Sequence, residues 1–457
     1  MMLLRQWPSW GRRFIVEVNE RPIPMPVTNA RVSAASVPAP ASTNRVALAV
    51  MTTLFFMWGF VTVLNDVLVP HLKSIFDLSY TKVMLIQFAF FSAYFIFSIP
   101  SAKVLDWIGY KRTIVVGLVT MALGALLFIP AASVPSYPLF LGALMVLAAG
   151  ITALQVAANP YVAVLGPAET ASSRLNLTQA FNSLGTFVGP FIGGLFILSA
   201  APISMNEVHK MSAEALQTYR IHEASTVKLP YLIIALLLVA LAVLIGTFKL
   251  PPIPGAEKHG TTTSSKSLFR YRHLILGCVG IFVYVGAEVS IGSFLINYFG
   301  QPDIGNLPAA VAARYVAFYW GGAMVGRFAG SAILQKVRTG TVLGIAAAVA
   351  ALLVCISMLT FGHVAMWSII LIGFFNSIMF PSIFTLGIAE LGPLTGDGSG
   401  LLIMAIVGGA IIPVIQGAMA DRLGIHHAFL LPVVCYLYIV FYALRGSKPR
   451  VAVEAKG

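Results

Sequence analysis

Residues 55–70 read FFMWGFVTVLNDVLVP, and the aspartate in that stretch decides how the chain is read. Asp66 is the only charged residue between Val46 and Val69. A helix needs about 20 mostly apolar residues to cross the hydrocarbon core of a bilayer. A carboxylate inside such a run is costly, and membrane chains keep one where it faces a cavity or a partner.

The rest of the chain has the same character. Its 457 residues are 58% hydrophobic and 10% charged, with a mean hydropathy of +0.88. Soluble domains carry about a quarter charged residues. So much apolar surface cannot be hidden in one soluble core, and lipid is the expected solvent. Apolar runs predict spans at roughly 46–70, 82–104, 112–132, 137–165, 173–199 and 229–250, then 273–299, 308–334, 341–361, 364–389, 398–420 and 427–445. The expected fold is an all-α integral membrane protein of about 12 helices.

The net charge of +13 has a matching explanation. Lys103, Lys111, Arg112, Arg174, Lys336 and Arg338 fall in alternate short loops, with more cations in the tails and the linker. The opposite loops hold fewer: Lys73, Lys82, Lys210, Arg220, Lys228 and Arg422. This asymmetry places both termini in the cytoplasm and requires an even number of spans. The cations do not form one folded basic face, so no nucleic-acid partner is expected. Cys278, Cys355 and Cys435 each lie in an apolar run without zinc spacing, so no structural metal or other cofactor is expected.

Residues 1–44 are Arg-, Pro- and Ser-bearing and low in complexity, and are expected to form a disordered cytoplasmic tail; a start codon placed too far upstream is the other reading. Residues 251–272, PPIPGAEKHGTTTSSKSLFRYR, read as a flexible cytoplasmic linker between a first bundle, 45–250, and a second, 273–446. A short tail, 447–457, follows. The halves echo each other. Pro160 is followed by Leu165 and Gly166, and Pro381 by Leu386 and Gly387, at identical spacing late in the fourth span of each half. Internal repetition of this kind marks transporter folds with the substrate site between the halves.

The loop between spans two and three carries Ala102, Asp106, Trp107, Gly109, Lys111 and Arg112. It resembles the GxxxDRxGxRR loop of the major facilitator superfamily, with Ala for Gly and Trp for Arg. The blocks FFMWGFVTVLNDVLVPHL, LQVAANPYVAVLGP, RLNLTQAFNSLGTFVGP, YVGAEVSIGSFLINYFG and FNSIMFPSIFTLGIAELG are similar to the fucose permease family, and within it to the glucose/galactose transporter branch. The resemblance covers about residues 46–445. It implies the major facilitator fold, two pseudo-symmetric six-helix bundles, and a monomer in the cell inner membrane. The implied activity is hexose import, of glucose or galactose, by cation symport. Fucose or another deoxy or amino sugar is the alternative. A membrane-embedded enzyme or receptor is disfavoured, because the chain has no GxSxG, HExxH or phosphate loop.

The resemblance also orders the candidate residues. Asp66 matches the family's coupling carboxylate. Gln155 stands in LQVAANP, where fucose permeases carry Glu, while Glu288 stands where the fucose permease has Gln. Asp66 and Glu288 are therefore the expected ion-coupling pair, for H⁺ or for Na⁺ held by either carboxylate. Amides can bridge neighbouring sugar hydroxyls, which makes Asn65, Gln155, Asn159, Gln179 and Asn182 candidate ligands, with Tyr284, Asn297 and Asn376 as further ones. Gln155 and Asn159 share a helical face. Asp106, Lys111, Arg112 and Arg327 are the expected cytoplasmic gate. Gly185, Gly189, Gly193 and Gly322, Gly326, Gly330 repeat every four residues, as in close helix packing, with sliding between the halves as an added use. The eight histidines are expected to be solvated in loops.

Overall fold

A computed structural model describes residues 42–76, 80–134, 136–197, 228–251 and 265–449, with short turns between 211 and 219. Side chains are described at 42–63, 86–134, 136–189, 228–251 and 268–449, and at those turns. The expectations for the tails at 1–41 and 450–457, for most of the linker and for the side chains of Asn65 and Asp66 lie outside the described residues.

The first half contains α1 (Arg45–Phe76), α2 (Tyr80–Ser133), α3 (Tyr137–Val164), α4 (Ala171–Ile197) and α5 (Lys228–Thr247). The second contains α6 (Arg272–Phe299), α7 (Ala309–Ile333), α8 (Thr339–Leu359), α9 (Gly362–Asn376), α10 (Met379–Gly387), α11 (Thr395–Met404), α12 (Gly408–Leu423) and α13 (Leu430–Phe441). Among the described residues, nine stretches are long and apolar enough to cross a membrane. One, Ile86–Ser133, is 48 residues long. Counting it twice and adding α4 and α7 gives twelve crossings.

Spans two and three are joined without the expected loop. Helix runs through 103–108 and folds at Gly109 (φ 77°, ψ 171°). Positive φ at this corner suits a residue without Cβ. The expected span 364–389 is broken between Asn376 and Met379. Pro381 accounts for the break: its ring collides with the carbonyl four residues back and it offers no N–H there. The expected span 398–420 bends at a tight turn, Ala405–Val407. In the linker, Ser265–Arg270 forms a 3₁₀ helix with Leu268 buried, so its last part is ordered against α6.

Small residues set the close approaches. Gly185 meets the Phe56 carbonyl where α4 rests on α1, and Gly326 meets the Phe374 carbonyl where α7 rests on α9. Among the described residues these glycines serve packing within a half, not sliding between halves; Gly330, beside the Asn176 amide of α4, is the exception, and the surroundings of Gly193 lie outside the described residues. The halves meet through α4 with α7 and α10, and through α11 with α2 and α3.

Three further side chains depart from expectation. Arg174, counted as a loop cation, is 4% exposed. Its guanidinium donates to the carbonyls of Val162, Ala163 and Gly166 and to Thr170 Oγ1. It thereby satisfies the carbonyls left open at the end of α3. His273 and His426 are buried, not solvated. Each ring pairs with a backbone carbonyl, His273 with Ala389 and His426 with Met358, fastening segment ends to the bundle.

Candidate substrate and coupling site

The two repeated prolines organise the site. A helix proline leaves the carbonyl four residues before it without its usual partner, and within a membrane another group must satisfy it. Pro160 releases Val156 and Pro381 releases Ser377. The Val156 carbonyl accepts from Ser399 Oγ of α11 at 2.8 Å. The Ser377 carbonyl accepts from Arg327 Nε of α7 at 3.2 Å. One released carbonyl thus takes a neutral hydroxyl from the opposite half. The other takes a guanidinium from its own half.

Arg327 then reaches across. Its second arm donates to Ser183 Oγ of α4, and its own carbonyl accepts from Asn176 Nδ2 at 2.6 Å. Its charge also acts on Glu288, so it belongs to the buried cluster.

That cluster lies within α6 and α7 and at the end of α9, where Asn376 is the last helical residue. The Tyr284 hydroxyl is 2.8 Å from Glu288 Oε1 and 3.0 Å from the Asn376 carbonyl. Tyr284 and Glu288 are four residues apart and so share a helix face. Asn376 Nδ2 donates to Tyr319 Oη at 2.9 Å. Asn376 Oδ1 is buried without a hydrogen-bond partner, and so is the nearby hydroxyl of Tyr436 on α13. A tyrosine hydroxyl has one proton to give. With Glu288 ionised, that proton serves either the carboxylate or the carbonyl. With Glu288 protonated, the chain Glu288 → Tyr284 → Asn376 carbonyl is complete.

In the first half the counterparts are neutral. Gln155 Nε2 donates to Tyr94 Oη at 2.8 Å. Asn159 is fully buried, and neither end of its amide has a partner. Gln179 is buried on α4, while Asn182 donates to the Phe55 carbonyl at 3.0 Å and helps hold α4 on α1. Asn297 is exposed near the far end of α6, away from the cluster.

The end of the bundle at which α4 begins and α7 ends is closed. Ser172 Oγ lies 2.5 Å from Thr385 Oγ1, Ser173 Oγ donates to the Ser331 carbonyl at 2.7 Å, and Thr339 Oγ1 donates to Ser172 Oγ at 2.9 Å. Where α2 packs on α11, the carboxyls of Asp106 and Asp397 are neighbours, with Lys103 near. Lys111 is half-buried and Arg112 exposed at the same corner. Sequence reading missed the hydroxyls, Asp397 and the tyrosines at 94, 319 and 436. The paired serines at 172 and 173, and an acid isolated between Glu390 and Asp421, were the available signals.

Twelve crossings in two repeated halves, closed at one end over a buried polar cluster, define a multi-pass membrane transport protein. The family model described as Major Facilitator Superfamily matches residues 46–412, and the chain belongs to that family. It is 54% identical over 402 residues to a glucose/galactose transporter of Brucella abortus, covering 88% of this chain and 94% of the relative. It is 38% identical over 402 residues to the L-fucose-proton symporter of Escherichia coli, covering 86% and 92%. The solved structure of the transporter FucP in an outward conformation matches with a TM-score of 0.81 at 36% identity, covering 87% of this chain and 97% of that one. A proton:xylose symporter bound to 6-bromo-6-deoxy-D-glucose matches with a TM-score of 0.65 at 12% identity, covering 88% and 95%; this likeness concerns the fold.

Proposed function

We propose that the chain is a proton-coupled importer of glucose, galactose or both, working by alternating access across the cell inner membrane. The observation that carries the coupling is the Glu288–Tyr284–Asn376 chain, which is complete only when Glu288 holds a proton. Sugar and proton bind with the outer side open. The serine and threonine seam then parts, and the proton leaves Glu288 toward the cytoplasm. An ion shifts this equilibrium only if its affinity differs between the two states. The changing reach of Arg327 toward Glu288 supplies such a difference.

The amides Gln155, Asn159, Gln179 and Asn376, with Tyr284, are the proposed sugar contacts, and Asp66 is a second carboxylate on the coupling route. Asp106, Lys111 and Arg112 act at the cytoplasmic gate. Both termini are cytoplasmic, the two bundles span 45–250 and 273–446, and one chain contains the whole path. The identity of 54% to a protein named glucose/galactose transporter, against 38% to one named L-fucose-proton symporter, supports hexose over fucose. The second name supports a proton over sodium. The test is uptake of labelled glucose, galactose and fucose by cells making the protein, with sodium present or absent and a protonophore added. Glucose or galactose uptake abolished by the protonophore is expected. Absence of uptake of any of the three sugars contradicts the reading.

A further inference from the structure

Behind this site, with Ser377 and Gly326 in the shared wall, a cavity of about 290 Å³ opens on the perimeter of the second half, between α7, α8 and α9. Its walls are apolar and include Gly330, Ile333, Val337, Val342, Ile345 and Phe374. Ile333 is 48% exposed and Ile345 59%, so the mouth faces the surroundings of the bundle and not the seam between the halves. In a bilayer those surroundings are acyl chains.

The rim is charged. Val337 lies between Lys336 and Arg338, and both cations are exposed. Among the described residues neither makes an ion pair or a side-chain hydrogen bond. No acidic residue occurs between Asp303 and Glu390, so α7 to α10 carry no negative charge. The N-terminus of the 21-residue helix α8 begins at the next residue, and its N-cap Arg338 makes no side-chain capping bond. Free N–H groups at a helix N-terminus favour an anion. Basic pockets between membrane helices at the cytoplasmic side have the chemistry to hold anionic headgroups.

We propose that this crevice binds one anionic phospholipid, with an acyl chain in the cavity and the phosphate between Lys336, Arg338 and the start of α8. The cavity alone would accept any acyl chain; the unpaired cations select the anionic headgroup. The site lies on the back of α7, the helix that carries Arg327, so its occupant also braces the helix that spans to Ser183.

The experiment is native mass spectrometry of the purified full-length chain, titrated with phosphatidylglycerol or phosphatidylcholine of the same acyl chains. The wild-type chain should retain one phosphatidylglycerol in clear preference. The double variant Lys336→Ala, Arg338→Ala should lower its retention roughly tenfold, to the level of phosphatidylcholine. Val342→Trp, which fills the mouth and keeps both cations, should lower it as well. Thermal unfolding of each variant at the wild-type temperature shows that the fold is intact. Equal retention of the two lipids by the wild-type chain, or an undiminished preference in either variant, overturns the site.

Discussion

Pro160 and Pro381 occupy the same place in the two halves, yet their surroundings differ in charge. Among the described residues, the polar groups at the released Val156 carbonyl and along the Gln155 face are neutral: Ser399 on that carbonyl, Gln155 on Tyr94, and Asn159 without a partner, the Arg174 guanidinium being spent on the carbonyls past Pro160. Around Pro381 the released Ser377 carbonyl holds Arg327, and Glu288 sits beside it. The backbone device is repeated and the chemistry is not. On the function proposed above, the Gln155 and Asn159 face offers amides to sugar hydroxyls, and the Glu288 cluster handles the proton together with Asp66.

The strongest way to break this division is to remove the acid. Glu288→Gln should abolish accumulation, so that labelled hexose only equilibrates across the membrane, while exchange of internal for external sugar continues. Adding Gln155→Glu, which moves the carboxylate into the other half, should restore part of the gradient. Accumulation by the single variant would sink the assignment.

Arg327→Lys keeps the charge but loses the fork that reaches Ser183 and Ser377 together. Its maximal rate of uptake should fall roughly tenfold, equivalent to about 1.4 kcal/mol on the barrier. Stopped-flow or rapid-filtration uptake gives that rate. A wild-type rate would mean that the bridge plays no part in the transition.

Asn159→Ala tests the neutral half. Neither end of this amide has a partner in the folded protein, so its loss should leave thermal stability unchanged or higher. Its value to the protein would lie in the sugar, and KM for the preferred hexose should rise severalfold to roughly tenfold. A loss of stability with unchanged KM would make Asn159 a packing residue.

The smallest effect is expected from Ser399→Ala. It removes one neutral hydrogen bond between the halves, worth about 1 kcal/mol. Labelling of a cysteine introduced at the seam should increase by a few fold as the closed end opens more often. Unchanged labelling would place the seam's strength elsewhere.

Most of the architecture was legible in the sequence because the bilayer imposes one simple rule on length and polarity. The apolar runs, the cation asymmetry and the proline repeat together gave twelve crossings in two halves. Glu288 stood out because a lone charge in an apolar run is rare. Arg327 was visible, but its partners were not: they depend on a carbonyl freed by Pro381 and on a serine 144 positions away. The hydroxyl seam was hidden because serine and threonine are ordinary in membrane helices, where they return a bond to their own backbone, as Thr152 does to Ala148. Arg174 misled because a cation near a span end is read as solvated, whereas this one closes the end of α3.

Proton movement driven by sugar tests the central claim most directly. Purified protein in liposomes, with a pH dye inside and no imposed gradient, should acidify the lumen when glucose or galactose is added outside. The signal should vanish in Glu288→Gln and be indifferent to sodium. Hexose uptake without any proton signal, or uptake that requires sodium, would contradict the account.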